Sequence, residues 1–412
     1  MSRPRLIVIG NGMAGLRVVE ETLALDPDLY DIVVFSAEAE PGYNRILLPE
    51  VLAGTRTLAQ IRTHDRDWYQ AHGVTLHLDR PIARLQRSRR EVHTTDGTTT
   101  TYDRLVLATG ANPVRLNVPG CDLPGVMTLR NADDVQRLGE AITAGARAAL
   151  VIGGGPLGLE AASSLARQGI DVSVAHLPQT LMDRQLDDIA GEVLQQELER
   201  RGLRLLLQHR TVAVLGPDRV RGVRFDDGKE LAVDLVLLSI GIQPNIELAR
   251  QAGLYCRNGI VVNDTMQTFD PRVYAVGECV EHRGTTFGLV APLYEQARVC
   301  ANHLLRVGRT RFEAAPTATR LKVPGVDVYS SGDVRAGADS EVLSYRDDAR
   351  GVYRKVVLRN NKVRGSVLIG DTAAGPWLFD LQRDGTDVSA LREDLLFGPV
   401  PDAEDPPSEA NG

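Results

Sequence analysis

The chain has 412 residues, 43% of them hydrophobic and 25% charged, which predicts two or three soluble domains and excludes collagen, coiled coil and wholesale disorder. Lys and Arg number 47 and Asp and Glu 54, and the net charge of −7 argues against a nucleic-acid binder, which usually carries a basic stripe. No apolar run approaches the ~20 residues that cross a bilayer, and the N-terminus has no signal-peptide pattern, so we expect no membrane association.

The first predicted element is a βαβ unit with a glycine-rich turn. It comprises a strand at 6–9, Gly10, Gly12 and Gly15 in the spacing G-x-G-x-x-G, a helix at 16–25 and a strand at Asp31–Phe35. In a dinucleotide-binding turn, one glycine permits the tight bend, one lets a pyrophosphate approach the backbone, and one lets the helix pack on the strand. A single match is also compatible with a glycine-rich turn in any α/β domain.

The same arrangement recurs further along the chain. A predicted strand at Ala148–Ile152 is followed by Gly153, Gly155 and Gly158, a helix at 159–168 and a strand at 171–175. Two copies in the same strand–turn–helix context predict two dinucleotide-binding sites and an α/β fold class with two Rossmann-like domains.

Three further apolar strands end in small residues. The first strand ends at Ala108, Thr109 and Gly110, the second ends at Gly241, and the third ends at Gly277, which is followed by Glu278. A turn of small residues lets the chain cross from one domain to another, and a carboxylate beside a glycine can hold a ribityl hydroxyl. Ordinary buried strands, and a simple helix cap at Glu278, remain open as alternatives.

The segment 311–397 has a different character. Two strand-like runs at 351–358 and 362–369 are joined by Arg359, Asn360 and Asn361, a good hairpin turn, and no phosphate-binding loop is present. We expect a small C-terminal α+β domain here. The residues from Pro399 onward are rich in Pro, Asp, Glu and Ser, which predicts a disordered tail.

Four cysteines limit the redox chemistry that the chain can perform. Cys121, Cys256, Cys279 and Cys300 form no CxxC pair and no spacing typical of a metal site or iron–sulfur cluster, so we expect no metal. No disulfide framework is implied, which fits a cytoplasmic location. Cys279 follows Glu278 and is interpreted as a small packed residue rather than a redox group.

These residues together resemble a known family. The two G-x-G-x-x-G units, the ATG turn and the AVGE motif look like the two-dinucleotide-fold flavoprotein reductases. The resemblance extends to the N-terminal flavoprotein half of the NAD(P)H nitrite reductase large subunit, and to electron-transfer subunits of split nitrate or nitrite reductases. Local matches begin at Tyr43 (YNRILL), His176 (HLPQTLMDRQLD), Gly277 (GECVEH), Val290 (VAPLYEQA) and Gly370 (GDTA).

The resemblance implies a domain order and two cofactors. FAD would occupy residues 1–113 and 242–308, NAD(P) would bind 114–241, a C-terminal domain would follow at 309–398, and the tail would run from 399 to 412. The implied FAD contacts are Gly10, Gly12, Gly15, Glu38, Asn44, Arg45, Ala108, Thr109, Gly110, Gly277, Glu278, Pro292 and Leu293. The implied NADH or NADPH contacts are Gly153, Gly155, Gly158, Glu160, His176, Arg184 and Gly241.

Several of these assignments compete with plainer interpretations. Glu38 is compatible with a solvated loop charge, and Asn44 and Arg45 with surface residues. Glu160 is compatible with a charge near a helix N-terminus. His176 stands where an acidic residue would hydrogen-bond the ribose 2′-OH, and Arg184, eight residues on, is a candidate to contact a 2′-phosphate, so residue chemistry leaves NADH and NADPH both open.

Departures from the family shape the functional expectation. The large subunit of nitrite reductase continues into iron–sulfur and sirohaem regions, and the cysteines of this chain cannot supply the ligands of such groups. We therefore expect a free-standing reductase module. Related ferredoxin reductases have Ser-Lys where Pro49 and Glu50 stand, and disulfide reductases need cysteines near the flavin that are missing.

We expect flavin-based hydride transfer without a catalytic side chain. The electrons would pass to an iron–sulfur protein or a nitrate or nitrite reductase catalytic subunit. The alternatives are a ferredoxin or rubredoxin reductase of an oxygenase system, and a dinucleotide-binding sensor.

Overall fold

The computed structural model describes residues 3–305, 308 and 310–399. The α-helices of these residues, α1 to α10, are Met13–Leu25, Leu48–Leu52, Leu58–Ile61, Arg66–Ala71, Ala132–Thr143, Pro156–Arg167, Asp188–Arg200, Glu247–Gln251, Val290–Leu304 and Gly375–Asp384. Short 3₁₀ helices lie at Arg45–Leu47 and Ser389–Leu391. In this described part of the chain, no helix is both long enough and apolar enough to span a membrane.

The strands fall into several sheets. In chain order β1 to β26 are Arg5–Ile9, Asp31–Phe35, Thr75–His77, Ile82–Gln86, Glu91–Thr94, Thr99–Thr101, Arg104–Leu107, Ala111–Pro113, Val126–Thr128, Ala148–Ile152, Asp171–His176, Arg204–Leu207, Thr211–Leu215, Gly222–Phe225, Glu230–Ala232, Leu235–Leu238, Ile242–Pro244, Ile260–Val262, Val273–Ala275, Val280–His282, Thr285–Thr286, Ala318–Val323, Val326–Gly332, Glu341–Asp347, Val352–Arg359 and Lys362–Ile369.

The described residues form two compact units. The first comprises the described residues within Met1–Asn117, Gly125–Ala146 and Leu237–Ala315, and the second those within Val118–Pro124, Arg147–Val236 and Pro316–Gly412. The C-terminal sheet therefore belongs to the same unit as the second glycine loop. The finer division into FAD, NAD(P) and C-terminal domains stays a prediction, and the predicted tail lies outside the described residues except for Pro399.

The first unit is built on a parallel sheet in the order β19-β7-β1-β2-β3. Its central strand β1 is covered on both faces, so its apolar run is continuous rather than alternating. The apolar face of α1 packs against α9. A small antiparallel sheet, β4-β5-β6, accompanies the parallel one.

The second unit repeats this plan. Strands β12, β11 and β10 pair in parallel and β16 follows β10 in the same sheet, while β13, β14 and β15 form the accompanying antiparallel sheet. The predicted pair of Rossmann-like domains is confirmed by this architecture. The observed strands β2 and β10 have the predicted bounds.

Both glycine-loop helices begin three residues earlier than predicted. Helix α1 begins at Met13 and α6 at Pro156, so Gly15 and Gly158 lie inside the first helical turns. A Cβ atom on Gly15 would lie 2.1 Å from the carbonyl oxygen of Gly10. The third glycine is therefore a helical residue that lets the helix approach its strand, and not the end of the turn.

The C-terminal sheet has five antiparallel strands in the order β22-β23-β26-β25-β24, and α10 packs against it. The predicted hairpin is β25–β26, displaced by one residue at its start. Asn360 and Asn361 both have positive φ, at 52° and 55°, which is the conformation of a two-residue type I′ turn. The sequence patterns did not predict β22, β23 and β24.

Candidate functional site

The first glycine loop connects β1 to α1. Gly10 has φ of 107° and its missing Cβ would lie 2.1 Å from the carbonyl oxygen of Ala108, so a side chain is excluded there. Gly12 is different, because the nearest atom to its missing Cβ belongs to Arg45, 3.7 Å away. No side chain caps α1 and no acidic residue stands in its first turn. Its free N–H groups therefore form a site suited to a phosphate.

A charged cluster lies beside this loop. The Glu38 carboxylate accepts hydrogen bonds from Arg45 and, at 2.6 Å, from the Tyr43 hydroxyl. Arg45 also donates to the carbonyl oxygen of Arg130 at 3.0 Å. Glu38 is thus an ion-pair partner of Arg45 rather than a solvated loop charge, and the two predicted residues are brought together.

Burial sets the protonation of this cluster. Burial raises the pKa of the Tyr43 phenol, and Glu38 raises it further, so the hydroxyl stays a donor. Burial acts to lower the pKa of Arg45, but the charge and hydrogen bond of the Glu38 carboxylate act in the opposite direction, and the pKa lies above its ordinary value. The guanidinium therefore stays charged next to the glycine loop, where it would attract a pyrophosphate.

Arg130 is a site residue that the sequence reasoning missed. Its guanidinium pairs with both carboxylate oxygens of Glu278, and a Cβ on Gly110 would lie 3.6 Å from one of its nitrogens. Its backbone N–H donates to Asp134 at 2.7 Å, at the start of α5. No sequence pattern pointed to a role for Arg130, because a single arginine before Asn131, the residue that caps α5, predicts only the start of a helix.

The remaining predicted residues of the first site lie in the same unit. The Thr109 hydroxyl donates to the carbonyl oxygen of Asn245 at 2.6 Å, and Gly277 has φ of 93°. The Asn44 side chain accepts from the N–H of Ile46 at 3.1 Å. Pro292 and Leu293 occupy the first turn of α9, whose N-terminus has no acidic residue. Their individual contacts with FAD stay predictions.

Two buried amides test whether this site fits FAD. Asn11 and Gln296 are 7% and 0% exposed, and each uses its side-chain oxygen, toward Tyr69 and the N–H of Gly277. Within the described residues their Nδ2 and Nε2 groups have no hydrogen-bond partner. Buried donors are almost always satisfied, so unpaired amides in and beside the open glycine loop fit a polar ligand such as FAD.

The second glycine loop connects β10 to α6. Gly153 has φ of 119°, and a Cβ on Gly154 would lie 2.7 Å from Leu181. A Cβ on Gly155 would have no atom within 4 Å, and no side chain caps the helix that follows. The middle glycine is again open and Gly158 is buried in the helix, which is the arrangement expected for NAD(P).

The Glu160 side chain is more buried than a solvent-exposed charge near a helix N-terminus would be. It is 8% exposed, and one carboxylate oxygen accepts the backbone N–H of Lys322 at 2.8 Å, which joins α6 to β22. A packing role is therefore established. The predicted contact with the nicotinamide end stays a prediction.

The remaining predicted NAD(P) residues, from the end of β11 onward, differ in how exposed their side chains are and in the unit to which they belong. The imidazole of His176 accepts the N–H of Gly154 through Nδ1 at 3.1 Å, and its Nε2 lies 3.4 Å from the Asp183 carboxylate. Arg184 is exposed in the following turn. Gly241 has φ of 115° and belongs to the first unit. Their predicted contacts with NAD(P) stay predictions.

Comparison with known proteins identifies the family. Residues 4–320 match the family described as pyridine nucleotide-disulphide oxidoreductase, and residues 317–386 match the rubredoxin NAD+ reductase C-terminal domain. The chain belongs to the pyridine nucleotide-disulphide oxidoreductase family. It is an NAD(P)H oxidoreductase and a flavoprotein with FAD as cofactor, which confirms what the family resemblance implied.

Two curated relatives and one solved structure illustrate the likeness. The nitrite reductase [NAD(P)H] of Bacillus subtilis (strain 168) is 42% identical over 97% of this chain and 50% of its own length. The assimilatory nitrate reductase electron transfer subunit of the same strain is 41% identical over 96% of this chain and 51% of its own length. The chain therefore spans about half the length of these relatives.

The fold is shared with the covalent putidaredoxin reductase–putidaredoxin complex. Its matching chain superposes with a TM-score of 0.84 at 24% identity, covering 94% of both chains. At this identity the likeness concerns the fold alone.

Proposed function

We propose that the protein oxidises NAD(P)H at the second glycine loop and passes the electrons, through FAD held at the first loop, to a separate redox protein in nitrate or nitrite assimilation. When bound, FAD supplies a two-electron acceptor that can release electrons singly. The protein's own contribution is binding and orientation. Arg45 and the N-terminus of α1 would hold the pyrophosphate of FAD, and Gly155 with the start of α6 would hold that of NAD(P)H.

The observation that carries the proposal is that, among the described residues, no usable thiol lies beside the glycine loop proposed to hold FAD. The family name refers to disulphides, yet the first cysteine of this chain is Cys121. Cys279 is fully buried, its sulfur contacts the carbonyl oxygens of Leu107 and Val276, and burial raises the pKa of its thiol. Because a reactive cysteine needs an accessible thiolate, the buried Cys279 supports electron transfer to an outside acceptor over a dithiol relay.

The acceptor is inferred from chemistry and from the relatives. An iron–sulfur protein, or the catalytic subunit of a nitrate or nitrite reductase, accepts single electrons, and one relative is named an electron transfer subunit. All four cysteines are unpaired. We therefore place the reaction in the cytoplasm, where such thiols persist.

A second candidate function has its own support. Residues 317–386 match the rubredoxin NAD+ reductase C-terminal domain, and this favours a ferredoxin or rubredoxin reductase of an oxygenase system. The two candidates share the same cofactors and differ only in the protein that receives the electrons.

The decisive experiment follows reoxidation of the reduced flavin. The purified 412-residue protein should be yellow, release FAD on acid precipitation, and reduce ferricyanide with NADH or NADPH while leaving nitrite and nitrate unchanged. Stopped-flow mixing of the reduced protein with purified nitrate or nitrite reductase components, ferredoxin and rubredoxin then ranks the acceptors. Turnover of nitrite by the metal-free protein alone would overturn the electron-transfer role. Fast reoxidation by ferredoxin or rubredoxin alone would favour the second candidate.

A further inference from the structure

The imidazole of His176 is engaged by the second glycine loop. His176 is the last residue of β11, and its Nδ1 accepts the N–H of Gly154, the residue between the bend glycine and the open Gly155. A Cβ on Gly154 would lie 2.9 Å from the imidazole Cγ, so ring and loop are in direct contact. The side chain of His176 is only 11% exposed, which leaves little of the ring for a ribose.

The other edge of the ring faces the turn that follows β11. The N–H of Met182 donates to the carbonyl oxygen of Gly154 at 2.9 Å, so this turn and the glycine loop are joined directly. Asp183, in the same turn, has a carboxylate oxygen 3.4 Å from Nε2 of the ring. His176 therefore fills the space between the loop and the turn.

The C-terminal sheet holds this turn from a second side. The Ser330 hydroxyl of β23 donates to the carbonyl oxygen of Gln185 at 2.5 Å, and Arg335 donates to the carbonyl oxygen of Asp183 at 2.8 Å. Ser330 is buried. The turn against which the ring packs is therefore held by hydrogen bonds from two sides.

The Gly154 hydrogen bond defines the protonation state of the ring. An acceptor Nδ1 has no proton, so the neutral ring carries its proton on Nε2, the atom facing Asp183. A doubly protonated ring would point an N–H at the N–H of Gly154, and the hydrogen bond would be lost. Asp183 and the Thr180 carbonyl face the ring from the turn, and the adjacent strand β12 pairs Leu207 with the His176 backbone.

We propose that His176 is a positioning residue for the pyridine nucleotide, which acts by holding the Gly154 N–H so that the neighbouring N–H groups at Gly155 and the start of α6 remain directed at the pyrophosphate. The proposal rests on the proposed function, and it specifies how the second glycine loop keeps the conformation that binds the pyridine nucleotide. It assigns His176 to the loop and not to the ribose. Binding should therefore require the neutral ring.

The pH dependence has a definite sign. Burial lowers the pKa of His176 and Asp183 acts in the opposite direction, with burial the larger effect. The ring is therefore neutral above the ordinary histidine range of about 6.5. The Gly154 hydrogen bond is present there and is lost as the pH falls through the lowered pKa.

The test compares His176→Asn with His176→Leu in the FAD-bound protein. Asn places an acceptor oxygen at the same distance along the side chain as Nδ1 but does not titrate, whereas Leu fills space without an acceptor. We expect His176→Leu to raise the KM for NADH by about three- to tenfold, as for one lost backbone hydrogen bond, with kcat toward ferricyanide nearly unchanged. His176→Asn should restore most of the affinity. The wild-type KM should rise in acid, and that of the Asn variant should not.

Further measurements keep the outcomes distinct. FAD content and the thermal midpoint are recorded for each variant as controls. Asp183→Asn should move the increase in KM at acidic pH to a lower pH, because the charge that favours the protonated ring is removed. A KM for His176→Asn as high as for His176→Leu, or an acid rise that persists in the Asn variant, would overturn the proposal. A wild-type protein oxidising neither NADH nor NADPH would instead contradict the proposed function itself.

Discussion

Substitution of Gly155 separates the two cofactor sites most sharply. Gly155 has φ of −81° and ψ of 177°, an extended conformation that any residue adopts, and its Cβ would have no atom within 4 Å. Gly155→Val should therefore leave the fold nearly unstrained. The loss of a glycine helix cap costs at most about 1 kcal/mol, equivalent to a fall of about 2–4 °C in the thermal midpoint.

The effect on the pyridine nucleotide should be far larger. A valine side chain occupies the space through which a pyrophosphate reaches the backbone N–H groups of α6. Each charge-assisted hydrogen bond lost is worth about 1.5–3 kcal/mol, and each 1.4 kcal/mol is about a factor of ten in affinity. One lost contact therefore predicts at least about a tenfold rise in the KM for NADH, and two predict about a hundredfold rise or more.

The assay records FAD absorbance, the thermal midpoint and the rate of flavin reduction by NADH for Gly155→Val. Gly12→Val is the matched variant, because a Cβ on Gly12 would also meet no close atom and Gly12 precedes α1 as Gly155 precedes α6. We expect Gly12→Val to lose FAD and Gly155→Val to keep it. A Gly155→Val protein that loses FAD and still binds NADH normally would mean that the two loops are assigned in reverse.

Three further predictions address single residues. Arg184→Ala should raise the KM for NADPH by about tenfold and leave that for NADH within about twofold, because exposed Arg184 is predicted to reach a 2′-phosphate; equal effects on both would contradict this. Cys279 and Cys300 are fully buried with raised thiol pKa values, so neither should react with a thiol reagent until the protein is unfolded, as counted by absorbance against denatured protein. The Asp187 carboxylate accepts a hydrogen bond from the Lys355 ammonium group at 2.5 Å, and both side chains are mostly buried. Asp187→Ala should therefore lower the free energy of unfolding, measured in denaturant melts, by about 3–5 kcal/mol. A loss under about 1 kcal/mol would refute the stabilising role of this buried pair.

The sequence by itself determined the backbone features that depend on neighbouring residues. The two glycine loops, the bounds of β2 and β10 and the Asn360–Asn361 turn were predicted because their signals are local: a missing Cβ, an apolar run or a residue tolerant of positive φ. The same local signals predicted two dinucleotide-binding loops, and the family resemblance assigned FAD to the first loop and NAD(P) to the second. The local signals did not reveal that Gly15 and Gly158 lie inside helices, because helix packing decides that.

Only the tertiary structure decided how the charged side chains of the sites are used. Arg130 and Glu278 are 148 residues apart, and no local pattern links them. Glu160 meets the backbone of Lys322, and His176 meets Gly154, through contacts that depend on sheet order and on the packing of β22 against α6. Residue type and spacing specify the donors and acceptors that a chain offers, whereas the partner of each is fixed by which elements the folded core brings within hydrogen-bonding distance.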